Sequence, residues 1–436
     1  MAEQLVLINV RPVWLRALLA LPVAAALWGA WHGVRWGAGA TMAETARDLE
    51  TAAAAERLAP RDPQTHLRLA RLRRVSFLPE DLPKALEEYE RAAALAPNDY
   101  LIWMEMGRAR GAAGDHEGGV RALRRAVELA PSYAQPRWHL GNILLRAGRA
   151  DEAFAELRRA ADADPALRPQ VFNLAWQVYD RNISRVVAAV SETPGARAQL
   201  AVVLVGRGQL ENALAVWSSL TPEQRREHGG AGDAIARALY DRRQYRQALA
   251  VLGEAGATGG AEAEKVSNGG FESDIAPAGR RLFDWQVTPP PAGSRVAIDP
   301  RTARGGSRSL LVSFSSPAHV DFKHVAQVVA VAPSTRYRLS FFVRAQEVET
   351  AATLVVVAGD ASADDSVLAA SSTAPTGTTE WQEVSFEFTT GPRTEAVSLR
   401  LVRAGCAEGA CPAYGKIWYD DFDLRRAAGR AADAAR

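Results

Sequence analysis

Between Thr41 and Gly253, small and large apolar residues recur at helical spacing, and three prolines set the period: Pro97, Pro131 and Pro165 stand 34 residues apart. The stretch before each proline reads Ala85, Tyr89, Ala92, then Gly119, Leu123, Ala126, then Ala153, Leu157, Ala160. The preceding helix carries a glycine in two of the units, Gly107 after Met106 and Gly141 after Leu140, with Trp103 and Trp138 nearby. Small residues at fixed offsets let two antiparallel helices approach closely, and larger ones fill the gap to the next pair, so each unit needs neighbours to bury its face. The pattern predicts an α-solenoid of helical hairpins over 41–253. Degenerate units follow around Leu174 and Ala175, around Leu200, Leu204 and Trp217, and around Ile235, Leu239 and Leu252. Before the first full unit, Glu44 to Pro60 reads as one lone helix of the same type.

After Gly253 the helical spacing stops. Residues 254–265 are rich in Gly and Ala and read as a flexible linker. Beyond them lie short alternating segments broken by Gly, Pro, Ser and Thr, which predict strands at 308–314, 325–331, 336–345, 352–357, 382–389, 396–402 and 416–424. Leu339, Phe341 and Val343 alternate with Arg338, Ser340 and Arg344, giving one buried and one wet face. So many short strands argue for an antiparallel β-sandwich over 266–425, with 426–436 as a disordered tail. The chain is thus a multidomain α plus β protein, and 436 residues exceed what one core accommodates.

The amino terminus changes the expected compartment. Residues 12–34 are apolar except for Arg16 and His32, which is long enough to cross a bilayer, since about 20 residues are needed. Arg11 and Arg16 precede the most apolar part and Trp28, Trp31 and Trp36 follow it, as in a single-pass membrane helix with a cytoplasmic start. Residues 1–40 are therefore expected to anchor the chain in a bacterial inner membrane. Ala38-Gly39-Ala40 offers the alternative of a cleaved signal, and either choice puts the bulk of the chain in the periplasm or beyond. Cys406 and Cys411 are the two cysteines, with four residues between them in a Gly- and Ala-rich loop. They suit a disulfide in that compartment; a metal site is the alternative, with no histidine or further cysteine near to complete it. A net charge of +2 without a basic run argues against nucleic acid as a partner.

The helical pattern resembles the tetratricopeptide repeat family, with Gly107, Gly141, Ala85, Ala153, Pro97, Pro131 and Pro165 in packing positions. The resemblance implies an unidentified protein partner on the array. A second resemblance rests on Asn268-Gly269-Gly270-Phe271-Glu272, Trp285, Gly305-Gly306-Ser307 leading into Ser309-Leu310-Leu311-Val312, then Pro333, Tyr337, Trp381 and Ile417 through Leu424. This order resembles the jelly-roll carbohydrate-binding modules appended to xylanases and cellulases, and implies polysaccharide binding. It also implies a structural calcium between the first and last strands, with Glu272 and Asp421 as ligands; a hydrogen-bonded turn pair is the alternative. Trp285 and Trp381 either seal the core or stack on sugar. Trp418 and Phe342 are candidates for an exposed sugar platform. The seven histidines are scattered and no phosphate-binding loop occurs, so no enzyme is expected. The expected function is a membrane-anchored adaptor in polysaccharide assembly or export, or else a purely structural scaffold whose sandwich binds no sugar.

Overall fold

The computed structural model describes residues 13–427 apart from 77, 277–278, 318–319, 404 and 406–410, and it divides into two compact units, Met1–Glu192 and Thr193–Arg436. The first unit is helical: α1 (Val13–Thr45), α2 (Leu49–Leu58), α3 (Pro63–Arg74), α4 (Asp81–Leu95), α5 (Tyr100–Ala112), α6 (His116–Leu129), α7 (Ala134–Arg146), α8 (Ala150–Ala163), α9 (Arg168–Val178) and α10 (Ile183–Val190). Helices α5 and α6 start where an aspartate takes a free backbone N–H: Asp99 accepts from Leu101 and Asp115 from Gly118. Gly114 and Gly148, at φ of 85° and 75°, turn the chain back between the two helices of a pair, a conformation that costs glycine little.

The hairpins are as tight as the spacing predicts. A Cβ on Gly107 would stand 2.6 Å from Leu123 Cγ, and one on Gly141 2.5 Å from Leu157 Cγ. Ala85 and Ala153 are fully buried. The prolines themselves are exposed, and the carbonyls of two of them accept from the side chain six residues on: Trp103 Nε1 donates to Pro97 at 2.9 Å and Arg137 Nε to Pro131 at 3.1 Å. In the unit before them, His66 Nε2 meets the Pro60 carbonyl at 2.9 Å.

The lone helix expected at 44–60 is instead part of a hairpin. Asp48 caps a new helix by accepting from Thr51, which breaks the chain after Thr45. The end of α1 packs on α2 so closely that a Cβ on Gly39 would lie 2.7 Å from Ala59 Cβ. Packing of the repeat type therefore begins within the 1–40 segment read as an anchor. Among the described residues no helix is long and apolar enough to cross a membrane, so the membrane helix expected over 12–34 is not established by the fold. The apolar run is diluted by Gly29, Gly33, His32 and Arg35, and the turns beyond it go to α2. Residues 1–12 lie outside the described residues.

A buried ion pair ties α3 to α4: His66 Nδ1 lies 2.6 Å from Glu88 Oε2. The hydrogen bond to Glu88 raises the His66 pKa against the opposing effect of burial. On α7, burial and the charge of Arg108 push His139 down to about 4. The two windows do not overlap. His66 contributes stability that is full below its unfolded value, about 6.5, and is lost as pH rises through the higher folded value. The neutral His139 contributes above about 6.5 and loses that contribution as pH falls toward 4. Denaturant melts should thus show a decline as pH rises above about 6.5 that His66→Gln removes, and a decline as pH falls from about 6.5 toward 4 that His139→Gln reduces. A wild-type profile that declines no more than that of His66→Gln as pH rises above about 6.5 would refute the first assignment.

The second unit contains α11 (Pro194–Gly206), α12 (Leu210–Ser218), α13 (Pro222–Glu227), α14 (Gly229–Asp241) and α15 (Tyr245–Glu254), followed by a β-sandwich. The strands are β1 (Gln286–Val287), β2 (Ser294–Asp299), β3 (Ser309–Ser316), β4 (Val325–Ala330), β5 (Arg336–Glu349), β6 (Leu354–Asp360), β7 (Ser366–Ala370), β8 (Gly377–Thr389), β9 (Ala396–Arg403) and β10 (Ala413–Arg426). One sheet runs β1-β4-β9-β6-β7 and the other β2-β3-β10-β5-β8, with every pairing antiparallel. Period-two alternation along β5 sends Leu339, Phe341 and Val343 into the core, where Phe341 stacks on Phe422 at 4.9 Å. Trp285 is buried in the same core, against Phe271 and Phe422.

Within this unit the last hairpin docks on the sandwich. Tyr245 Oη donates to the Ala361 carbonyl at 3.2 Å, Arg243 pairs with Asp364 at 2.6 Å, and Tyr240 meets Phe283 edge-on. The 254–265 stretch, read as a flexible linker, buries Ala255 and Ala261, and the Glu264 N–H donates to Ala330 at 2.8 Å. Of the tail, Ala427 still bonds to Arg336, and 428–436 lie outside the described residues.

Candidate functional site

Among the described residues, a concavity in each unit brings charged and aromatic side chains together. In the first unit α3, α5 and α7 line a groove of about 300 Å³ with Arg74, Arg108, Trp138, His139, Asn142 and Arg146. Helical spacing puts these residues on one face: Glu105 and Arg108 are one turn apart on α5, and Trp138, Asn142 and Arg146 follow at intervals of four on α7. Glu105 is nearly buried and holds three guanidiniums, Arg108 at 3.4 Å, Arg74 at 3.6 Å and Arg71 at 3.7 Å. Repeat-packing residues are legible in a sequence because their offsets are fixed; these groove residues lie between them and obey no offset rule.

In the sandwich, the outward face of β5, β8 and β10 forms a cleft of about 440 Å³ with Phe342 in its floor and Arg304, Arg338, Glu383, Asp421 and Asp423 around it. The Arg304 guanidinium lies 3.8 Å from the centre of the Phe342 ring and donates to Asp421 Oδ2 at 2.9 Å. Phe342 is half-buried and faces away from the core, opposite to Phe341, as expected.

Trp418 does not form the expected exposed platform. It lies on the outward side of β10, but β10 runs between β3 and β5, and Asp299 of β2 accepts from its Nε1 at 2.8 Å. Only 5% of Trp418 is exposed. Strand alternation predicts which side a residue takes and says nothing about what covers that side. Trp381 is half-buried and outside the sandwich core, beside the register shift where β5 and β8 pair irregularly between Val343 and Ala345.

Glu272 and Asp421 do approach the same loop, 304–308. The Phe422 N–H donates to the Gly269 carbonyl at 2.9 Å, so the 268–272 segment packs on β10. At this point β10 has a bulge between Asp420 and Asp423, with Asp421 at a φ of 51°. Glu272 Oε1 accepts from the Ser307 and Arg308 N–H groups and Oε2 from the Ser307 hydroxyl. The hydroxyl bond, then the backbone ones, hold its pKa below the usual range, against burial. Asp420 accepts from the N–H groups of Arg304, Gly305 and Asp421, while burial, the largest effect, raises its pKa. A calcium ion needs free oxygens, whereas here N–H, hydroxyl and guanidinium donors take most of those on offer. Among the described residues no group of three or more His, Cys, Asp or Glu is arranged to hold a metal. The donor set fits the turn-pair alternative better than calcium. Melting of the full chain in calcium and in chelator should therefore coincide; a clear rise in calcium would reinstate the ion, because a ligand of the folded state alone must stabilise it.

Cys411 is buried and is not a free thiol; Cys406 lies outside the described residues.

Residues 263–404 match the family described as carbohydrate binding domain, and residues 111–175 match the tetratricopeptide repeat. The chain joins tetratricopeptide repeats to a carbohydrate-binding-type domain. The first family points to protein–protein interaction and the second to carbohydrate binding. The peroxisomal targeting signal receptor of Saccharomyces cerevisiae is 29% identical over 103 residues, which are 24% of this chain and 16% of that receptor. A solved structure described as CBM4 is 18% identical and covers 37% of this chain and 99% of its own, at a TM-score of 0.29. YrrB, a tetratricopeptide repeat protein with an unusual peptide-binding site, is 18% identical over 48% of this chain and 91% of its own, at 0.26. MamA is 16% identical over 44% and 89%, at 0.23.

Proposed function

We propose that this chain is a non-enzymatic adaptor whose repeat array holds a protein partner and whose sandwich engages an envelope or extracellular polysaccharide. The observation that carries the sugar half is the β5–β8–β10 cleft, which sets one aromatic ring among side chains able to donate to and accept from hydroxyl groups. Sugars are held by such a mixture of apolar contact and directed hydrogen bonds. A glycan-array screen of the full chain tests it. Binding should appear and should fall about two- to tenfold in Phe342→Ala, as when a stacking contact is lost. A chain that binds no glycan on the array is the scaffold of the second reading, which the arginine over Phe342 and the buried Trp418 favour.

Anchorage in a bacterial inner membrane, with the bulk of the chain in the periplasm, is part of the same proposal. It is supported by the apolar sequence at 12–34 and by the large apolar residues of α1 that nothing described in the chain covers: Leu21, Leu27, Trp28 and Trp31 are each more than 60% exposed. Alkaline phosphatase fused after Gly253 should be active. An inactive fusion, with a cytoplasmic reporter active at the same site, would reverse the topology.

A further inference from the structure

The Phe342 ring in the floor of the sandwich cleft faces outward, and a side chain of the same domain lies on it. The Arg304 guanidinium carbon is 3.8 Å from the ring centre, too short for an approach at the ring's edge, so it occupies the place of a stacked ligand. The same group donates to Asp421 Oδ2 at 2.9 Å. Arg304 thus engages a ring and a carboxylate of the cleft together, the two kinds of group a sugar would use.

Its main chain and its side chain are held very differently. The Arg304 and Gly305 N–H groups donate to Asp420 Oδ2 at 2.8 and 3.2 Å, and those of Ser307 and Arg308 to Glu272 at 2.8 and 3.1 Å, so two carboxylates clamp the 304–308 loop. The side chain has the ring, the one ion pair and no further hydrogen bond among the described residues, and 45% of it is exposed. Exposed ion pairs and exposed cation–π contacts are both weak, so the guanidinium can leave while its backbone stays in place. The charges of the cleft balance, with Arg304, Arg338 and Arg425 facing Glu383, Asp421 and Asp423, which suits a neutral ligand.

We propose that Arg304 is a displaceable cover on this cleft. With the guanidinium over Phe342 the ring is closed to sugar; a neutral sugar binds by turning the side chain out, which uncovers the ring and frees Asp421 to accept from a hydroxyl. The proposal rests on the reading of the cleft as a sugar site and adds what controls access to it. Because an exposed ion pair helps to hold the cover, salt should loosen it.

The glycan array, run with the full chain of wild type and of Arg304→Ala in low and in high salt, tests it, followed by titration of the neutral glycans that bind. Arg304→Ala should bind them about two- to tenfold more tightly in low salt, the range of the two weak contacts it removes. High salt should bring wild type toward the variant and leave the variant unchanged. The gain should vanish in Phe342→Ala, because the uncovered ring is what supplies it, and melting of Arg304→Ala should match wild type, since alanine keeps the backbone N–H bonded to Asp420. Equal affinities of wild type and Arg304→Ala at both salt concentrations overturn the cover and leave the sugar site standing. Weaker binding by Arg304→Ala also overturns it and makes the arginine a ligand of the sugar. No glycan bound by either protein overturns the cleft as a sugar site, and the cover with it.

Discussion

Replacing Gly141 by leucine is expected to destabilise the first unit by about 1–3 kcal/mol or more, the range for side chains forced into a filled core. The reason is geometric. A Cβ at this position would already meet Leu157 Cγ at 2.5 Å, Leu157 Cδ2 at 2.8 Å and the Ala153 carbonyl at 3.1 Å, and the rest of the side chain would follow it into the same gap. Leu157 could swing aside, but Ala153 O belongs to the backbone of α8 and moves only if the hairpin opens. Gly107 has the same surroundings one repeat earlier, with Leu123 Cγ at 2.6 Å and Gly119 O at 3.1 Å. Gly111→Ala is the milder comparison, because its nearest neighbour is the far end of the Ile143 side chain. Chemical denaturation of the full chain, following the transition that also responds to His66→Gln, should rank Gly141→Leu well below Gly111→Ala. Equal midpoints for wild type and Gly141→Leu would mean that α7 and α8 do not meet in this register.

The legible parts of this protein were those in which one physical requirement repeats. Close helix approach recurs at every hairpin, so it leaves glycines and alanines at constant offsets, and long strands with one wet face leave alternation, as in β5. Strands β1, β2 and β7 leave neither. The first has two residues, β2 lacks an alternating burial pattern, and β7 is an exposed edge strand of small residues. Site residues were harder for a different reason. Phe342 faces outward as alternation requires, but nothing in its own strand announces the Arg304 ring contact, which comes from a loop far away in sequence. Trp418 fails in the same way, through Asp299. Glu272 and Asp421 were legible as neighbours; that their partners are N–H and guanidinium groups depended on the conformation of the 304–308 loop.

Arg403 gave no sequence signal at all, and its removal should be the most costly single change in the sandwich. It ends β9 with 6% of its surface exposed, and burial lowers the pKa of its guanidinium. Its Nε donates to the Ala352 carbonyl at 3.0 Å. One terminal nitrogen donates to Val320 at 3.2 Å, and the other to the Thr350 hydroxyl at 2.8 Å and to the carbonyls of Cys411 and Pro412 at 3.0 and 3.2 Å. One planar group thus ties together three connections that approach the same end of the sandwich. Arg403→Met would fill much of the space but leave four carbonyls without these donors, and each buried acceptor left unmade costs about 1–3 kcal/mol. Relaxation and entering water will recover part of that, so a loss of about 3–5 kcal/mol is expected, as when a buried hydrogen-bonded charge is removed. Arg403→Lys should rescue little, because a single ammonium cannot present donors in five directions at once. Denaturant melts should show the loss in the transition that carries the sandwich, with the one sensitive to Gly141→Leu unmoved. An Arg403→Met variant within about 0.5 kcal/mol of wild type, the range of ordinary surface changes, would show that these loops hold themselves and that the arginine merely fills the space between them.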